Sequence, residues 1–204
     1  MIVIVDYGVG NLASIVNMLR AAGVEAQASA AAGDVRAAER LILPGVGHFD
    51  HGMRMLNASG LRDAIEAAAL GNRRPVLGIC LGAQMLGRSS EEGREAGLGW
   101  LDMTCRLLPS QPGVRVPHMG WNQVAHRVDA PLFLGEAPDA RYYFVHSYYM
   151  ECADPADSAG TTTHGMEFTG VVQRGNVFGT QFHPEKSLRH GMNVLRNFAA
   201  YTPA

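Results

Sequence analysis

Unbroken apolar stretches alternate with segments of helical spacing along the first half of the chain. Short buried strands are predicted over residues 2–5, 41–43 and 76–79, with a weaker strand over residues 24–28. Helical spacing of apolar positions is found over residues 12–20, 52–57, 61–70 and 81–86. This alternation predicts an α/β fold with an open, mostly parallel sheet and helices on both faces.

The second half of the chain has a different pattern, with shorter apolar runs separated by turns. Short additional strands, of the antiparallel kind, are predicted over residues 100–116, 123–128, 142–149, 162–168, 171–172 and 177–182, and a last helix over residues 191–200. No linker, repeat or low-complexity segment interrupts the 204 residues. We therefore expect a single domain spanning residues 1–204.

Cys80 lies at the centre of the sequence GICLG, which occupies residues 78–82 directly after a predicted buried strand. Glycines on both sides of a reactive residue permit the tight strand-to-helix turn known as a nucleophile elbow. The positive end of the following helix favours the thiolate form. The alternative is a buried cysteine that packs as a small hydrophobic side chain, and the flanking glycines disfavour it.

A base for such a nucleophile is offered about a hundred residues later by His183 and Glu185. In an extended strand end these two side chains leave the same side of the backbone, and Pro184 favours extended geometry at His183. Glu185 can then orient one imidazole nitrogen while the other accepts the thiol proton. A His-x-Glu pair alone is weak support, and its combination with the Cys80 elbow is strong.

Acyl transfer also requires backbone donors for a developing oxyanion. The elbow supplies the N–H of Leu81, and the sequence PGVG at residues 44–47 is the candidate for a second donor. A plain strand-to-helix turn is the alternative reading of residues 44–47. Gln84 follows Cys80 by one helical turn, so its amide could reach the α-amino or carboxylate group of a substrate, unless it is a solvated helix residue.

Three of these motifs resemble the class I (triad) glutamine amidotransferases: residues 43–47, 78–82 and 181–185. Within that family, residues 6–12, 116–122, 143–149 and 181–187 are similar to glutaminase subunits of imidazole glycerol phosphate synthases, which serve histidine biosynthesis. The resemblance extends from Asp6 to about Phe198. It implies that Cys80 attacks the carboxamide of glutamine and that glutamate and ammonia are released.

The same resemblance implies roles for further residues of the site. It assigns the second oxyanion donor to Val46 or its neighbour Gly47. It favours Glu92 over the adjacent Glu91 as the partner of the substrate ammonium. It also implies that His146, Ser147 and Tyr148 bind glutamine, partly through their backbone.

A surface for a partner subunit is predicted in residues 116–122. Pro117, His118, Met119 and Trp121 combine apolar and aromatic surface with a polar group, a composition typical of interfaces, although buried core is the alternative. The resemblance implies that this segment, together with Asn11 and Lys186, faces a (β/α)8-barrel synthase subunit in a heterodimer and delivers ammonia to it.

Composition excludes several other classes of function. With 17 Lys and Arg against 19 Asp and Glu, the formal net charge of −2 attracts neither nucleic acid nor an anionic membrane. Three cysteines without an export signal favour a reducing cytoplasm. The eight histidines include no pair at metal-ligand spacing near a cysteine, and we expect neither a metal nor a cofactor.

Four alternative functions remain to be weighed. A paralogous glutaminase could supply ammonia for amidation of a sugar of bacterial surface polysaccharides, and residues 97–100 and 189–192 are similar to such paralogues. A regulatory module with an inactive triad is disfavoured by the intact Cys80, His183 and Glu185. Cysteine proteases need other motifs, and class II glutaminases begin with a cysteine, whereas Ile2 follows Met1 here.

Overall fold

The structure is a computed structural model that describes residues 1–203. Its first half alternates strands and helices as predicted. In chain order these are β1 (Ile2–Val5), α1 (Leu12–Ala21), β2 (Ala26–Ser29), α2 (Ala32–Ala37), β3 (Arg40–Leu43), α3 (Phe49–Ala58), α4 (Arg62–Glu66), a π-helical turn (Ala67–Gly71), β4 (Val76–Ile79) and α5 (Leu81–Gln84).

The second half consists mainly of strands and ends with a helix. Its elements are β5 (Ser89–Ser90), β6 (Met103–Leu107), β7 (His118–Gln123), β8 (Ala125–His126), β9 (Arg141–His146), β10 (Tyr148–Cys152), β11 (Ser158–His164), β12 (Met166–Arg174), β13 (Val177–Thr180) and α6 (Leu188–Ala200). Three 3₁₀ turns, Pro131–Phe133, Pro155–Asp157 and Pro184–Lys186, lie between them.

Eleven strands form one mixed sheet, whose main path runs β2-β1-β3-β4-β13-β12-β10-β6-β5. The half from β2 to β13 is parallel, and antiparallel pairing begins between β13 and β12. Strand β11 pairs with β12 and β8, whereas β7 and β9 form a separate antiparallel pair. The predicted fold class is therefore confirmed, and the carboxyl ends of β3, β4 and β13 meet at one edge, where open parallel sheets place their functional sites.

Both faces of the parallel half are buried. Val3 and Val5 belong to one apolar core, and Ile2 and Ile4 belong to the core on the opposite face. Because side chains alternate along a strand, a strand covered on both faces must be apolar throughout. This is why the first half of the sequence shows continuous apolar runs.

Helix α5 is shorter than predicted, since it ends at Gln84 instead of continuing to residue 86. Beyond Gln84 the bonds become those of a 3₁₀ turn, since Leu86 N–H donates to Ala83 O and Gly87 N–H donates to Gln84 O. The helix cannot continue past this turn, because Met85 O accepts from Leu98 N–H and Leu86 O accepts from Trp100 N–H. Tertiary hydrogen bonds thus override the local helical pattern. A helix of a single turn also weakens the argument that its dipole favours the thiolate.

Strand boundaries in the second half differ most from the predictions. The strand predicted over residues 162–168 is a hairpin, because the chain reverses at Gly165, whose φ of +72° suits a turn. The strand predicted over residues 142–149 is broken at Ser147, and that predicted over residues 100–116 is limited to Met103–Leu107. The sequence pattern does not predict strand β7.

Within residues 1–203, no helix combines the length and apolar character needed to cross a membrane.

Candidate active site

Cys80 occupies a strained turn between β4 and α5. Its φ of 53° and ψ of −111° are unusual for a residue with a side chain. A side chain at Gly78 would come within 2.7 Å of the Cα of Ala83, and one at Gly82 would collide with the carbonyl of Leu43. Both glycines are therefore required for α5 to pack against the sheet, and the turn has the geometry of a nucleophile elbow.

His183 reaches the elbow from the neighbouring strand β13, which ends at Thr180. The N–H of Cys80 donates to the Thr180 carbonyl at 2.7 Å, so the two strand ends are held together. His183 itself is extended, with φ of −97° and ψ of 101°, as expected before proline. Its N–H donates to the carbonyl of Tyr143 at 2.9 Å.

Glu185 lies 2.8 Å from Nδ1 of His183, measured at Oε1. The extended strand assumed in the prediction is wrong, because the chain enters a 3₁₀ turn at Pro184 that carries the carboxylate back to the ring. Both side chains are 2% exposed. With Nδ1 occupied by Glu185, Nε2 is the nitrogen left to face Cys80.

The electrostatics of the group favour a charged imidazole. Burial by itself lowers the pKa of His183, but hydrogen bonds to Cys80 and Glu185, together with their negative charge, raise that pKa to about 9. A cationic ring beside a cysteine stabilises the thiolate, which is the nucleophilic form. The arrangement can therefore carry out nucleophilic attack followed by proton transfer to a leaving group.

A cavity of about 380 Å³ opens beside the thiol. Its walls come from five regions of the chain: the 44–47 loop with its neighbour His48, the elbow with α5, the segment after β5, the residue before β7, and the strand break between β9 and β10. The lining residues are Gly47, His48, Cys80, Leu81, Gln84, Glu92, Pro117, Val145, His146, Ser147 and Tyr148. All five residues expected to bind substrate are among them.

Gln84 is buried, so the alternative of a solvated helix residue is wrong. Its Nε2 donates to the carbonyl of Tyr148 and to Oε1 of Gln181, both at 3.0 Å. Since both amide hydrogens are used, only Oε1 of Gln84 remains for a substrate, as an acceptor. The predicted option of a contact with a substrate carboxylate is therefore wrong, whereas a contact with an ammonium is possible.

Glu92 and Glu91 have different surroundings. Glu92 lines the cavity, and its Oε2 accepts the N–H of Phe49 at 2.7 Å. Glu91 instead accepts from Arg106 at 3.0 Å and from the Leu107 N–H at 2.8 Å. The geometry thus supports Glu92 as the carboxylate that faces the cavity.

Gln181 is a site residue that sequence reasoning did not single out. It is fully buried, and its Nε2 donates to Sγ of Cys80 at 3.8 Å. A donor to sulfur stabilises its anionic form. The only signal in the sequence is its place next to Phe182 and His183, which the apolar pattern assigns to the end of a strand.

The 44–47 loop packs directly on the elbow, because a side chain at Gly45 would collide with the backbone N of Gly82. Gly47 lines the cavity with φ of +92°, whereas Val46 is outside the cavity lining and 40% exposed. Leu81 begins α5, so its N–H has no acceptor within the helix and is available to a substrate. The hydroxyl of buried Tyr7 donates to the Pro44 carbonyl at 2.6 Å and fixes the start of the loop.

The segment predicted to face a partner forms strand β7. Met119 is 63% exposed and Trp121 is 44% exposed, so buried core is the wrong reading for these two side chains. His118 is 4% exposed and points inward, because side chains alternate along the strand. The prediction that His118 contributes a surface contact is therefore wrong, whereas Pro117 is exposed at the rim of the cavity.

Two other residues predicted to face a partner are exposed. Asn11 caps α1 by accepting the N–H of Ser14 at 3.4 Å. Lys186 extends over the ring of Tyr143, with Nζ 5.8 Å from the centre of that ring. The same ring packs edge-on against Trp121, with 6.0 Å between the two ring centres. Trp121, Tyr143 and Lys186 thus connect β7 with the turn that carries Glu185.

Cys105 and Cys152 lie outside the cavity. Burial raises the pKa of both thiols, that of Cys152 to about 11 with help from the nearby charge of Asp157. Neither thiol is therefore ionised near neutral pH.

Within residues 1–203, no group of three or more His, Cys, Asp and Glu side chains is arranged to hold a metal ion.

Comparison with known proteins identifies close relatives. A family model described as class-I glutamine amidotransferase matches residues 3–201. The imidazole glycerol phosphate synthase subunit HisH 2 of Pseudomonas aeruginosa is 52% identical over 198 residues, covering 97% of this chain and 98% of that protein. The HisH subunit of Bdellovibrio bacteriovorus is 45% identical over 202 residues, covering 98% of this chain and 99% of that protein.

Solved structures with low sequence identity share the fold. A structure described as a glutamine amidotransferase superimposes with a TM-score of 0.74 at 18% identity, covering 96% of each chain. A chain of PurLQS from Thermotoga maritima gives a TM-score of 0.73 at 21% identity, covering 97% of this chain and 96% of that one.

Proposed function

This chain belongs to the class I glutamine amidotransferase family, and we propose that it is the glutaminase subunit of an imidazole glycerol phosphate synthase, which serves histidine biosynthesis. The observation that carries the proposal is the arrangement of Cys80, His183 and Glu185 at the wall of a cavity. The names of relatives that match nearly the whole chain support the choice of synthase.

The proposed reaction begins when the thiolate of Cys80 attacks the carboxamide carbon of glutamine. The N–H of Leu81 and a donor from Val46 or Gly47 stabilise the resulting oxyanion. The His183 imidazolium, oriented by Glu185, gives its proton to the leaving nitrogen, and ammonia departs to leave a thioester. His183 then takes one proton from water as the water attacks the thioester, and the product leaves with thiolate and imidazolium restored. The new γ-carboxyl group gives its remaining proton to solvent, which yields glutamate.

Glutamine would be oriented by the polar groups of the cavity. The carboxylate of Glu92 and Oε1 of Gln84 suit its α-ammonium group, because both are acceptors that face the cavity. Ser147 and Tyr148, at the break between β9 and β10, provide backbone and side-chain groups for the remainder of the substrate. The backbone of His146 contributes to the same wall.

The partner proposed here is the (β/α)8-barrel synthase subunit that the resemblance implies, in a heterodimer through which ammonia is delivered. The exposed side chains of Met119 and Trp121 support this proposal, since they lie on the strand that follows the cavity-lining Pro117. Asn11 and Lys186 would contribute polar contacts around them. We further propose that the chain acts as one glutaminase domain in the cytoplasm, where its three free thiols would stay reduced.

The proposal is tested with the purified chain and the synthase subunit encoded by the same genome. We expect Cys80→Ala to lower glutamine-dependent synthesis by on the order of 10⁴-fold while synthesis from added ammonium remains unchanged. Cys152→Ala, which alters a half-buried thiol outside the cavity, serves as the matched control and should retain full activity.

The same mixture also tests regulation and pathway. The isolated chain should hydrolyse glutamine hardly at all, and the partner loaded with its nucleotide substrate should raise turnover by several orders of magnitude. Unchanged glutaminase turnover in Cys80→Ala would refute the assigned nucleophile. Formation of an amidated sugar in place of imidazole glycerol phosphate would place the protein in surface-polysaccharide synthesis.

A further inference from the structure

Behind the cavity wall lies a row of polar side chains, two buried and one half-buried, to which the proposed reaction assigns no role. Nε2 of His146 is 3.0 Å from Nδ1 of His118, and Nε2 of His118 is 3.2 Å from Nδ2 of Asn122. At the other end, Nδ1 of His146 is 2.8 Å from the carbonyl of Tyr148. These contacts form a continuous chain of hydrogen bonds from strand β7 to the cavity.

The orientation of Asn122 at the outer end of this chain is determined by its other contacts. Its Oδ1 accepts the N–H of Gln123 at 2.9 Å, and its Nδ2 donates to the carbonyl of Thr163 at 2.9 Å. The group that faces His118 is therefore the amide NH₂, which can only donate. It follows that Nε2 of His118 is an acceptor.

The contact at the other end of the chain, between His146 and Tyr148, requires that hydrogen bonds be donated in the same direction, from Asn122 towards Tyr148. A carbonyl can only accept, so Nδ1 of His146 must carry a hydrogen that it donates to Tyr148. In a neutral ring Nε2 of His146 is then an acceptor, and Nδ1 of His118 must supply the hydrogen between the two rings. Both rings are thereby assigned the Nδ1–H tautomer, in which each Nδ1 donates a hydrogen bond and each Nε2 accepts one.

Burial keeps both rings neutral. His118 is 4% exposed and His146 is 6% exposed, and their surroundings are aromatic, with Phe144 stacked on His118 and Phe168 packed edge-on against both. Burial, followed by the charge of the neighbouring His164, lowers the pKa of His118 to about 4. Burial lowers the pKa of His146 to about 3, despite its hydrogen bond to Tyr148.

The Tyr148 carbonyl at which this chain ends is shared with the substrate cavity. It accepts the hydrogen of His146 and also a hydrogen of Gln84 Nε2 at 3.0 Å. The same Gln84 group donates to Gln181, so the orientation of the Gln84 amide depends on a fixed Tyr148 carbonyl. The orientation of Gln84 Oε1, the acceptor that faces the cavity, thus depends on hydrogen bonds on the side of Tyr148 that faces away from the cavity.

We propose that His118 and His146 form a neutral histidine relay, by which we mean a chain of hydrogen bonds that runs from Asn122 to the Tyr148 carbonyl. The donor at Asn122 fixes the Nδ1–H tautomer of both rings, and the chain holds the Tyr148 carbonyl and the Gln84 amide in position to bind glutamine. His118 is then a positioning residue, and it connects the glutamine pocket with the strand that exposes Met119 and Trp121. This inference rests on the proposed glutaminase function. It gives a role to His118, which points inward and therefore cannot contact a partner at the surface.

The tautomers are tested by two-bond ¹H–¹⁵N NMR on the full chain, a measurement that does not depend on activity. At pH 7 we expect the Nδ1–H pattern for His118 and His146. A neutral Nε2–H form or a cation at either ring would overturn the relay whatever the protein catalyses.

The positional role is tested by kinetics in the complete complex with the synthase subunit. His118→Phe keeps an aromatic ring in the cage but removes both hydrogen bonds, so we expect KM for glutamine to rise about tenfold while kcat changes less than about threefold. The matched control is His164→Phe, because His164 stacks on His118 at 4.2 Å without entering the chain of hydrogen bonds. It should leave both constants within about twofold of the original protein.

A second variant guards against the possibility that His118→Phe does not fold. Asn122→Asp, at a half-buried position, places an acceptor where the relay requires a donor, so NMR should show hydrogen on Nε2 of His118 and KM should again rise. Unchanged KM in Asn122→Asp, or a fall in kcat alone, would overturn the relay. Absence of glutaminase activity in the unmodified complex would instead refute the proposed function and leave the tautomer result standing.

Discussion

Truncation of Trp121 measures how far the exposed face of β7 anchors the partner subunit. A tryptophan side chain presents up to about 250 Å² of surface, and the 44% that is exposed here leaves about 110 Å² for a partner to cover. At ~25 cal/mol per Å², complete burial of that area stabilises a complex by nearly 3 kcal/mol. Incomplete burial reduces the figure, so we expect Trp121→Ala to weaken association by about 2 kcal/mol, or roughly thirtyfold in Kd.

The assay is a titration of the synthase subunit against this chain, followed both by calorimetry and by glutaminase rate. The maximal rate at saturating partner should change little, because Trp121 lies outside the cavity lining. Leu134→Ala serves as the matched control, since it removes an apolar side chain that is 59% exposed on another part of the surface. Its Kd should remain within about twofold of that of the unmodified chain.

Thermal unfolding of Trp121→Ala must accompany the titration, because the covered part of the ring contacts Tyr143. A Kd unchanged within twofold in a folded variant would show that this face is not an anchor. If the variant instead lost its fold while the surviving folded fraction bound normally, the side chain would serve stability and the interface would have to lie elsewhere.

Three further perturbations address the triad, the 44–47 loop and the charge beside the triad. Because the pKa of His183 is raised to about 9, its contribution of up to about 3 kcal/mol to the free energy of unfolding is present below pH 6.5 and is lost as the pH rises through 9. Urea denaturation at pH 6 and pH 10 should show this loss, and Glu185→Gln should reduce it; an equal loss in that variant would contradict the assignment. Tyr7→Phe removes the 2.6 Å hydrogen bond to Pro44, so kcat should fall about fivefold while the affinity for the partner is kept, and an unchanged kcat would mean that the loop needs no such anchor. Lys186→Ala should lower the partner-activated maximal rate about fivefold but change Kd less than twofold, because an exposed charge adds little binding, and the reverse pattern would make Lys186 a binding residue.

The parts of the site that the sequence predicts are those that depend on local geometry. The elbow requires glycine at fixed distances from Cys80, and the pairing of His183 with Glu185 depends on a proline turn within the same short segment. Such constraints leave a pattern in adjacent residues. The apolar runs of β1, β3 and β4 are visible for a similar reason, since a strand buried on both faces can contain little else.

The unpredicted parts depend on partners far away in the sequence. Gln181 donates to a sulfur 101 residues earlier, and Tyr7 donates to a carbonyl 37 residues later, so neither contact leaves a local pattern. The inward orientation of His118 cannot be predicted because the sequence pattern does not reveal β7, and without the strand the alternation of inward and outward side chains cannot be applied. The same distance between partners explains why the ends of α5 and of the antiparallel strands were misplaced.

The position of β13 has a consequence for the newly made protein. This strand lies between β4 and β12 in the sheet, yet it is synthesised after both of them. On the ribosome, Cys80 therefore emerges long before His183 and Glu185, and during that interval it is an ordinary thiol without an acid–base partner. The late insertion of a central strand also requires contacts between distant residues, which form slowly. Activation of the cysteine thus coincides with completion of the sheet, so that an unfinished chain cannot consume glutamine.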